Sequence, residues 1–236
     1  MLFLAVSAGF FVENLRENLS DHTKEREYVK SMVEDLKTDS AFLDLSINKL
    51  IPYHIAWMDS TVHLFQMPEV KGKDRLIYQA FMIGTAWTYN FHPTERTLSQ
   101  LHTEGYHLIR DKTAANAISE LEDRYHLYLQ TTAFVENLQN EIDLSAYSFA
   151  SRTITDQITV VAFQKFQDSL IVNLKLSDVP ETAAINFENK DAIKEYTDKI
   201  GKYSFFIQYA IKNEYIIMLR EVNKTKDILN KEYHPE

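Results

Sequence analysis

Apolar residues recur at spacings of three and four along stretches far longer than a strand. From residue 29 they fall at Val29, Met32, Val33, Leu36, Leu43, Ile47 and Leu50, with Lys30, Glu34, Asp35, Lys37 and Asp44 off the stripe. A second set runs Ala114, Ile118, Leu121, Tyr125, Tyr128, Thr132, Val135, Leu138 and Ile142. A third runs Ile193, Tyr196, Ile200, Tyr203, Ile207, Ile211, Met218, Val222 and Leu229. That period is one buried face of an α-helix, and the alternation of threes and fours in the second set is the seam of a bundle. Long helices need few punctuators, and 236 residues here contain 5 Gly and 5 Pro, about a third of average usage. The predicted fold is all-α: an elongated antiparallel helix bundle with long first, middle and last helices.

Local signals divide the rest. Asp39 and Ser40 interrupt the first stripe, and Pro52 is predicted to kink or end that helix. Residues 53–66 resume helical spacing, 67–74 (MPEVKGKD) read as a loop, and 75–91 as a mostly buried helix. A short helix follows Pro93. It starts either at Thr97, in a capping box with Gln100, or at Thr94. Gly105 stands where a left-handed C-terminal cap is needed, and Asp111 is a good N-cap for a helix over 112–150. Residues 153–176 mix β-branched types (Thr153, Ile154, Thr155, Ile158, Thr159, Val160, Val161) with helical spacing (Phe163, Phe166, Leu170, Ile171) and read as a break followed by a helix. The last helix is predicted over 189–232, with Gly201 the place for a bend.

The N-terminus carries a different signal. Leu2 to Val12 is apolar apart from Ser7, and the chain turns charged at Glu13. A spanning helix needs about 20 mostly apolar residues, so this run stops short. Three readings stay open: apolar residues before Met1 complete a span, the segment docks on a membrane surface or partner, or it opens a buried core helix. On the first, residues 1–12 are a partial membrane anchor and 13–236 a single helical domain. Residues 13–27 carry Arg16, Lys24 and Arg26 against Glu13, Glu17, Asp21, Glu25 and Glu27. Cytoplasmic flanks are rich in Lys and Arg, so the acidic flank puts the bulk of the chain outside the cytoplasm, on the periplasmic side.

Composition removes several function classes. A net charge of −9 argues against nucleic acid, whose binding rests on clustered Lys and Arg, and against charge-driven docking on anionic lipid. Without Cys there are no disulfides, thiolate metal sites or thiol catalysis. The His pairs His102/His107 and His54/His63 do not have the spacing of a helical two-His site, and Glu122 with His126 supplies one helical pair at most. There is no nucleophile-elbow motif, and Gly is too scarce for phosphate-cradling loops. No catalytic residue, metal ligand or cofactor is predicted. The corner from Gly105 to Asp111 has two readings: an interaction surface presenting His107 and Arg110, or two helices joined by a capped turn, with Gly105 and Asp111 as caps and Leu108 and Ile109 in the core.

Two stretches carry a family resemblance. One is FVENLRENLSDHTKEREYVKSMVEDLKTD, directly after the apolar run. The other is Thr97-x-x-Gln100-Leu101-x-x-x-Gly105-x-x-x-Ile109-Arg110-Asp111, followed by Tyr125 and Tyr128. Together they resemble an uncharacterised bacterial family of single-span, membrane-anchored helical proteins. The resemblance covers the stretch from the N-terminus through Tyr128. It implies a membrane helix leading into an acid-rich helix with Glu13-Asn14-Leu15-Arg16-Glu17, and a later segment with Thr97, Leu101, Gly105, Leu108 and Ile109 joining two helices. It implies no activity. The apolar run here is shorter than the family's.

The function expected is non-enzymatic: a membrane-tethered helical interaction or scaffold protein of the bacterial envelope, with a protein partner or a second copy of itself. The alternative is an extracytoplasmic ligand-sensing bundle, and the third reading an enzyme whose site the sequence does not reveal. Because one-faced helices must bury that face, the first and last helices are expected to pack antiparallel. Ile211 to Leu229 would lie beside the first helix's N-terminal half, with Lys212, Arg220, Lys224, Lys226 and Lys231 facing Glu13, Glu17, Glu25 and Glu27.

Overall fold

The three apolar stripes are buried helix faces in the computed structural model, which describes residues 2–68, 72–85, 91–167 and 173–234. Val29, Met32, Val33, Leu36, Leu43, Ile47 and Leu50 are all buried, as are Ile118, Leu121, Tyr125 and Tyr128 in the middle helix and Tyr196, Ile200, Met218, Val222 and Leu229 in the last. The protein is an all-α helix bundle with long first, middle and last helices. Its helices are α1 (Leu2–Leu45), α2 (Ile51–Gln66), α3 (Lys73–Thr85), α4 (Arg96–Glu104), α5 (Lys112–Ala146), α6 (Arg152–Gln167), α7 (Lys190–Phe206) and α8 (Lys212–Tyr233).

A π-helical turn, Ser46–Leu50, joins α1 to α2, and another, Ile207–Ile211, joins α7 to α8. Pro52 therefore does not end the first helix: Leu50 and Ile51 keep helical angles, and Pro52 sits in the first turn of α2. A proline ring inside a regular helix collides with the carbonyl four residues back, and the wider turn before it relieves that collision. Gly201 lies within α7, and the irregular turn falls after it. The predicted break in 153–176 does not occur at its start, since α6 begins at Arg152. Its β-branched run is held helical by back-bonds, Thr155 Oγ1 donating to Ser151 O and Thr159 Oγ1 to Thr155 O, and by burial of Ile158 and Ala162. Residues 69–71 of the predicted loop, 86–90 and 168–172 of the predicted helical segments, the first residue and the last two lie outside the described residues.

Contacts group the chain into two compact units. Unit 1 comprises Met1–Leu43, Phe91–Leu127 and Ile217–Glu236, and unit 2 comprises Asp44–Asn90 and Tyr128–Ile216. In unit 1, Tyr233 bonds Glu25 while Asn223 bonds Ser40, so α8 runs antiparallel to α1. The expected direction holds, but the register is displaced: Val29 and Met32 fall opposite the last turns of α8 and not residues 211–222. Polar pairs fix the slide that apolar stripes leave free. The expected charge pairing is also replaced, Lys224 joining Glu120 and Glu221, and Lys231 joining Glu232.

Unit 2 packs α2 against α3 and α7. Its centre is an aromatic cluster, with Phe149 and Tyr196 ring centroids 4.8 Å apart and Phe65 5.3 Å from Phe149. One polar edge of α3 clamps the irregular segment that follows α6. Arg75 donates to Leu176 O and Val179 O, Gln79 to Leu174 O and the Tyr78 hydroxyl to Ala184 O, while Asp74 accepts the Ile185 N–H.

Candidate functional site

Three carboxylates on α1 organise unit 1: Glu25, Asp35 and Asp39, each no more than 2% exposed. Each meets a backbone donor of the segment from residue 94 to residue 110. Asp39 accepts the Thr94 N–H at 3.1 Å, the Thr94 hydroxyl at 2.6 Å and the Tyr125 hydroxyl at 2.8 Å. Asp35 accepts the Thr97 N–H at 3.2 Å and the Thr97 hydroxyl at 2.5 Å, and pairs with Arg96 at 2.6 Å. Glu25 accepts the Arg110 N–H at 2.7 Å and the Tyr233 hydroxyl at 2.6 Å.

Helix α4 begins at Arg96, and the Glu95 side chain does not cap it. The first N–H groups of a helix have no partner inside it. Asp35 supplies one from a different helix, so the capping box predicted within 94–100 is replaced by a tertiary cap. Burial drives the pKa of Asp39 above the ordinary value, and the negative charge of Asp35 adds to it; the Thr94 and Tyr125 hydrogen bonds oppose both. The Tyr125 hydroxyl is pushed up by burial and by the adjacent Asp39 charge, and so remains a donor.

The corner itself is built on Gly105, whose N–H closes α4 on Leu101 O at φ 104 and ψ 137. That φ is positive, but the ψ lies outside the left-handed helical region. An added Cβ there would sit 2.5 Å from His107 Nδ1. Leu108 and Ile109 are buried. The Asp111 carboxylate accepts the Ala114 N–H at 2.8 Å, at the start of α5. His107 is exposed. Arg110 is turned toward α1, its guanidinium donating to Asn18 O at 3.2 Å.

Beside the corner, His102 bonds one Glu122 oxygen directly, His126 Nε2 stands 3.6 Å from that same oxygen, and Tyr106 donates to the other at 2.6 Å. Burial works against ionising Glu122, but Tyr106, His102 and His126 together hold its pKa below the ordinary carboxylate value. No group of three or more ligand side chains among the described residues is placed to hold a metal ion.

The other exposed feature is the start of α1. Residues 11–20 are exposed without exception, and they include Phe11 at 70%, Val12 at 65%, Leu15 at 49% and Leu19 at 63%. From Asp21 onward the helix acquires a buried face. No helix among the described residues is long and apolar enough to cross a membrane.

Spacing contains a signal for two of the buried acids. Glu25, Val29, Met32, Leu36, Asp39 and Leu43 step by fours and threes, so Glu25 and Asp39 lie in the apolar register itself. Asp35, assigned to the solvent side, is the less legible one: its burial depends on the segment that folds over it.

No family model, curated protein or solved structure matches the chain.

Proposed function

We propose that the chain is a non-enzymatic, membrane-tethered helical scaffold of the bacterial envelope, with its bulk outside the cytoplasm and a protein partner on its helical surface. The observation that carries this reading is the exposed apolar row Phe11, Val12, Leu15 and Leu19, continuous in sequence with the apolar run from Leu2. Large apolar side chains grouped on one exposed element mark an interaction or membrane surface. Between the two, the membrane is favoured because the row extends the uncharged stretch from Leu2 for two more turns, past the first charges at Glu13, Arg16 and Glu17. The carboxylates of α1 then give the tether a purpose, since the helix that meets the bilayer also holds the corner at 105–111. The resemblance to single-span helical proteins supports the same reading, and His107 at that corner is the residue we assign to partner contact.

Flotation of the full chain with phosphatidylcholine vesicles tests the proposal. The expected result is co-flotation without help from lipid charge, abolished in the Leu15→Asp, Leu19→Asp double variant at unchanged helix content. A chain that stays in the dense fraction, or a double variant that floats equally well, refutes it. A second reading, the ligand-sensing bundle, is favoured by one observation: a polar-lined cavity in unit 2.

A further inference from the structure

That cavity has about 240 Å³ of space and is lined by side chains of α3, α5 and α6 together with Tyr147. Its polar lining is one-sided in chemistry. Asp143 and Asp156 present carboxylates, and Thr85, Thr155 and Thr159 present hydroxyls. Each of those hydroxyl protons is already directed into its own helix, Thr85 to Phe81 O at 2.8 Å, Thr155 to Ser151 O at 3.0 Å and Thr159 to Thr155 O at 2.9 Å. A hydroxyl has one proton and two lone pairs, so toward the cavity Thr155 and Thr159 offer lone pairs. Thr85 and Thr155 are more than nine-tenths buried, so water does not mask that polarity.

Asp143 is the centre of the arrangement. Its carboxylate stands within hydrogen-bonding reach of the Thr85 hydroxyl, and no cationic side chain among the described residues pairs with it. Burial without a cationic partner disfavours the charge on that carboxylate, and the Thr85 hydroxyl offsets this only in part. The fully buried Tyr196 hydroxyl is close to both groups and forms no well-formed hydrogen bond of its own. The remaining walls are apolar or aromatic: Phe81, Met82, Ala146 and Tyr147. The space is too large for a bare ion and suits a short hydrocarbon chain. At the rim, Arg152 lies over the Tyr147 ring at 5.4 Å and reaches Asp156 at 3.9 Å. An aromatic face that accepts a guanidinium also accepts an ammonium.

We propose that this cavity binds a small primary alkylammonium, its charged end held by Asp143 and the threonine oxygens and its hydrocarbon by Phe81, Ala146 and Tyr147. The ammonium supplies the positive charge that the lining lacks. Asp156 gives a second carboxylate near the mouth, so an α,ω-diamine engages both ends and binds more tightly than the monoamine of equal length. The site stands apart from the membrane reading, and either can fail without the other.

The test is thermal unfolding and calorimetric titration of the full chain with n-butylamine, 1,4-diaminobutane, butan-1-ol and, at matched ionic strength, potassium chloride. Both amines are expected to raise the melting temperature saturably, the diamine at the lower concentration, while butanol and potassium chloride do not. Asp143→Asn is expected to weaken both amines at least about tenfold while the chain stays folded by circular dichroism. Asp156→Ala is expected to erase the advantage of the diamine and to leave butylamine binding in place. Equal effects of butanol and butylamine would mean that the cavity only fills with apolar matter. Amine binding that survives Asp143→Asn, or no binding at all, overturns the proposal.

Discussion

Asp39→Ala is the perturbation that separates a buried clasp from an ordinary helix-surface acid. The substitution removes the acceptor of the Thr94 N–H, the Thr94 hydroxyl and the Tyr125 hydroxyl at once. A buried donor left without an acceptor costs about 1–3 kcal/mol. Tyr125 is 3% exposed and carries that cost in full, whereas Thr94 is half-buried and recovers part of its bonding from water. Relief from burying the carboxylate, recorded in the upward shift of Asp39, offsets some of the loss. The expected net destabilisation is about 2–4 kcal/mol. Tyr125→Phe alone should cost about 1–2 kcal/mol, and the double variant should fall short of additivity by about that amount, because Asp39→Ala no longer strands a hydroxyl. Asp44, on the same helix but exposed, is the control: Asp44→Ala should stay within about 0.5 kcal/mol. Urea unfolding at pH 7, with midpoints compared at equal slope, measures all four. If Asp39→Ala unfolds at the midpoint of Asp44→Ala, or the pair is strictly additive, Asp39 holds nothing.

Gly105→Ala should lose about 1–3 kcal/mol of stability, since a side chain is forced to positive φ; thermal melts should show part of this returning when His107→Ala is added, and an unchanged melt would place Gly105 in an ordinary conformation. Burial raises the pKa of Asp143 to about 6, against about 3.9 for an unfolded aspartate. Between those values the folded chain binds a proton that the unfolded chain does not, so this group's contribution to stability grows as pH falls from above 6 toward 4 and is lost again as pH rises. Asp156, paired with Arg152, lines the same cavity, and the Tyr196 and Tyr203 hydroxyls are pushed up by burial and by the Asp143 charge. Asp143→Asn should therefore stabilise the chain by about 1–3 kcal/mol at pH 7 and by little at pH 4, and a wild-type-to-variant difference in urea midpoint that does not change with pH would contradict the burial account.

The long helices were legible because period and scarcity of Gly and Pro agree, and burial follows the stripes closely from Val29 to Leu50 and from Tyr196 to Leu229. The antiparallel direction of α1 and α8 followed from the need to cover two one-faced helices. Their register did not, because apolar rows pack acceptably at several slides. The discriminating contacts, Ser40 with Asn223 and Glu25 with Tyr233, are polar pairs separated by more than 180 residues. Residue type misled at two places. Asp39 looked like an interruption of a stripe in whose register it sits, and Thr153 to Val161 looked strand-like although the helical period of their neighbours prevails. The α1 clasp is half legible for the same reason: an acid in apolar register is a signal, but what it holds is set by Phe91 to Asp111, far along the chain. Neither π-helical turn has a local signature, apart from Pro52 just after the first. The Asp143 cavity is least visible of all, since its acceptors come from three helices with no shared motif.

The way the chain divides between its two units bears on the order in which the protein can be made. Unit 1 opens with α1 and is closed only by Ile217–Glu236, while everything unit 2 needs has appeared by Ile216. Domains of a growing chain form as their sequence becomes available, at about 5–20 residues per second. The second unit to begin is thus the first able to finish. Through that interval α1 waits with the face that α8 will cover still open and with Glu25 lacking one of its donors, until the Tyr233 hydroxyl arrives from 208 positions downstream. Loss of α8 would therefore leave a helix made much earlier without its partner, and the growing chain would be most prone to wrong association just before α8 emerges.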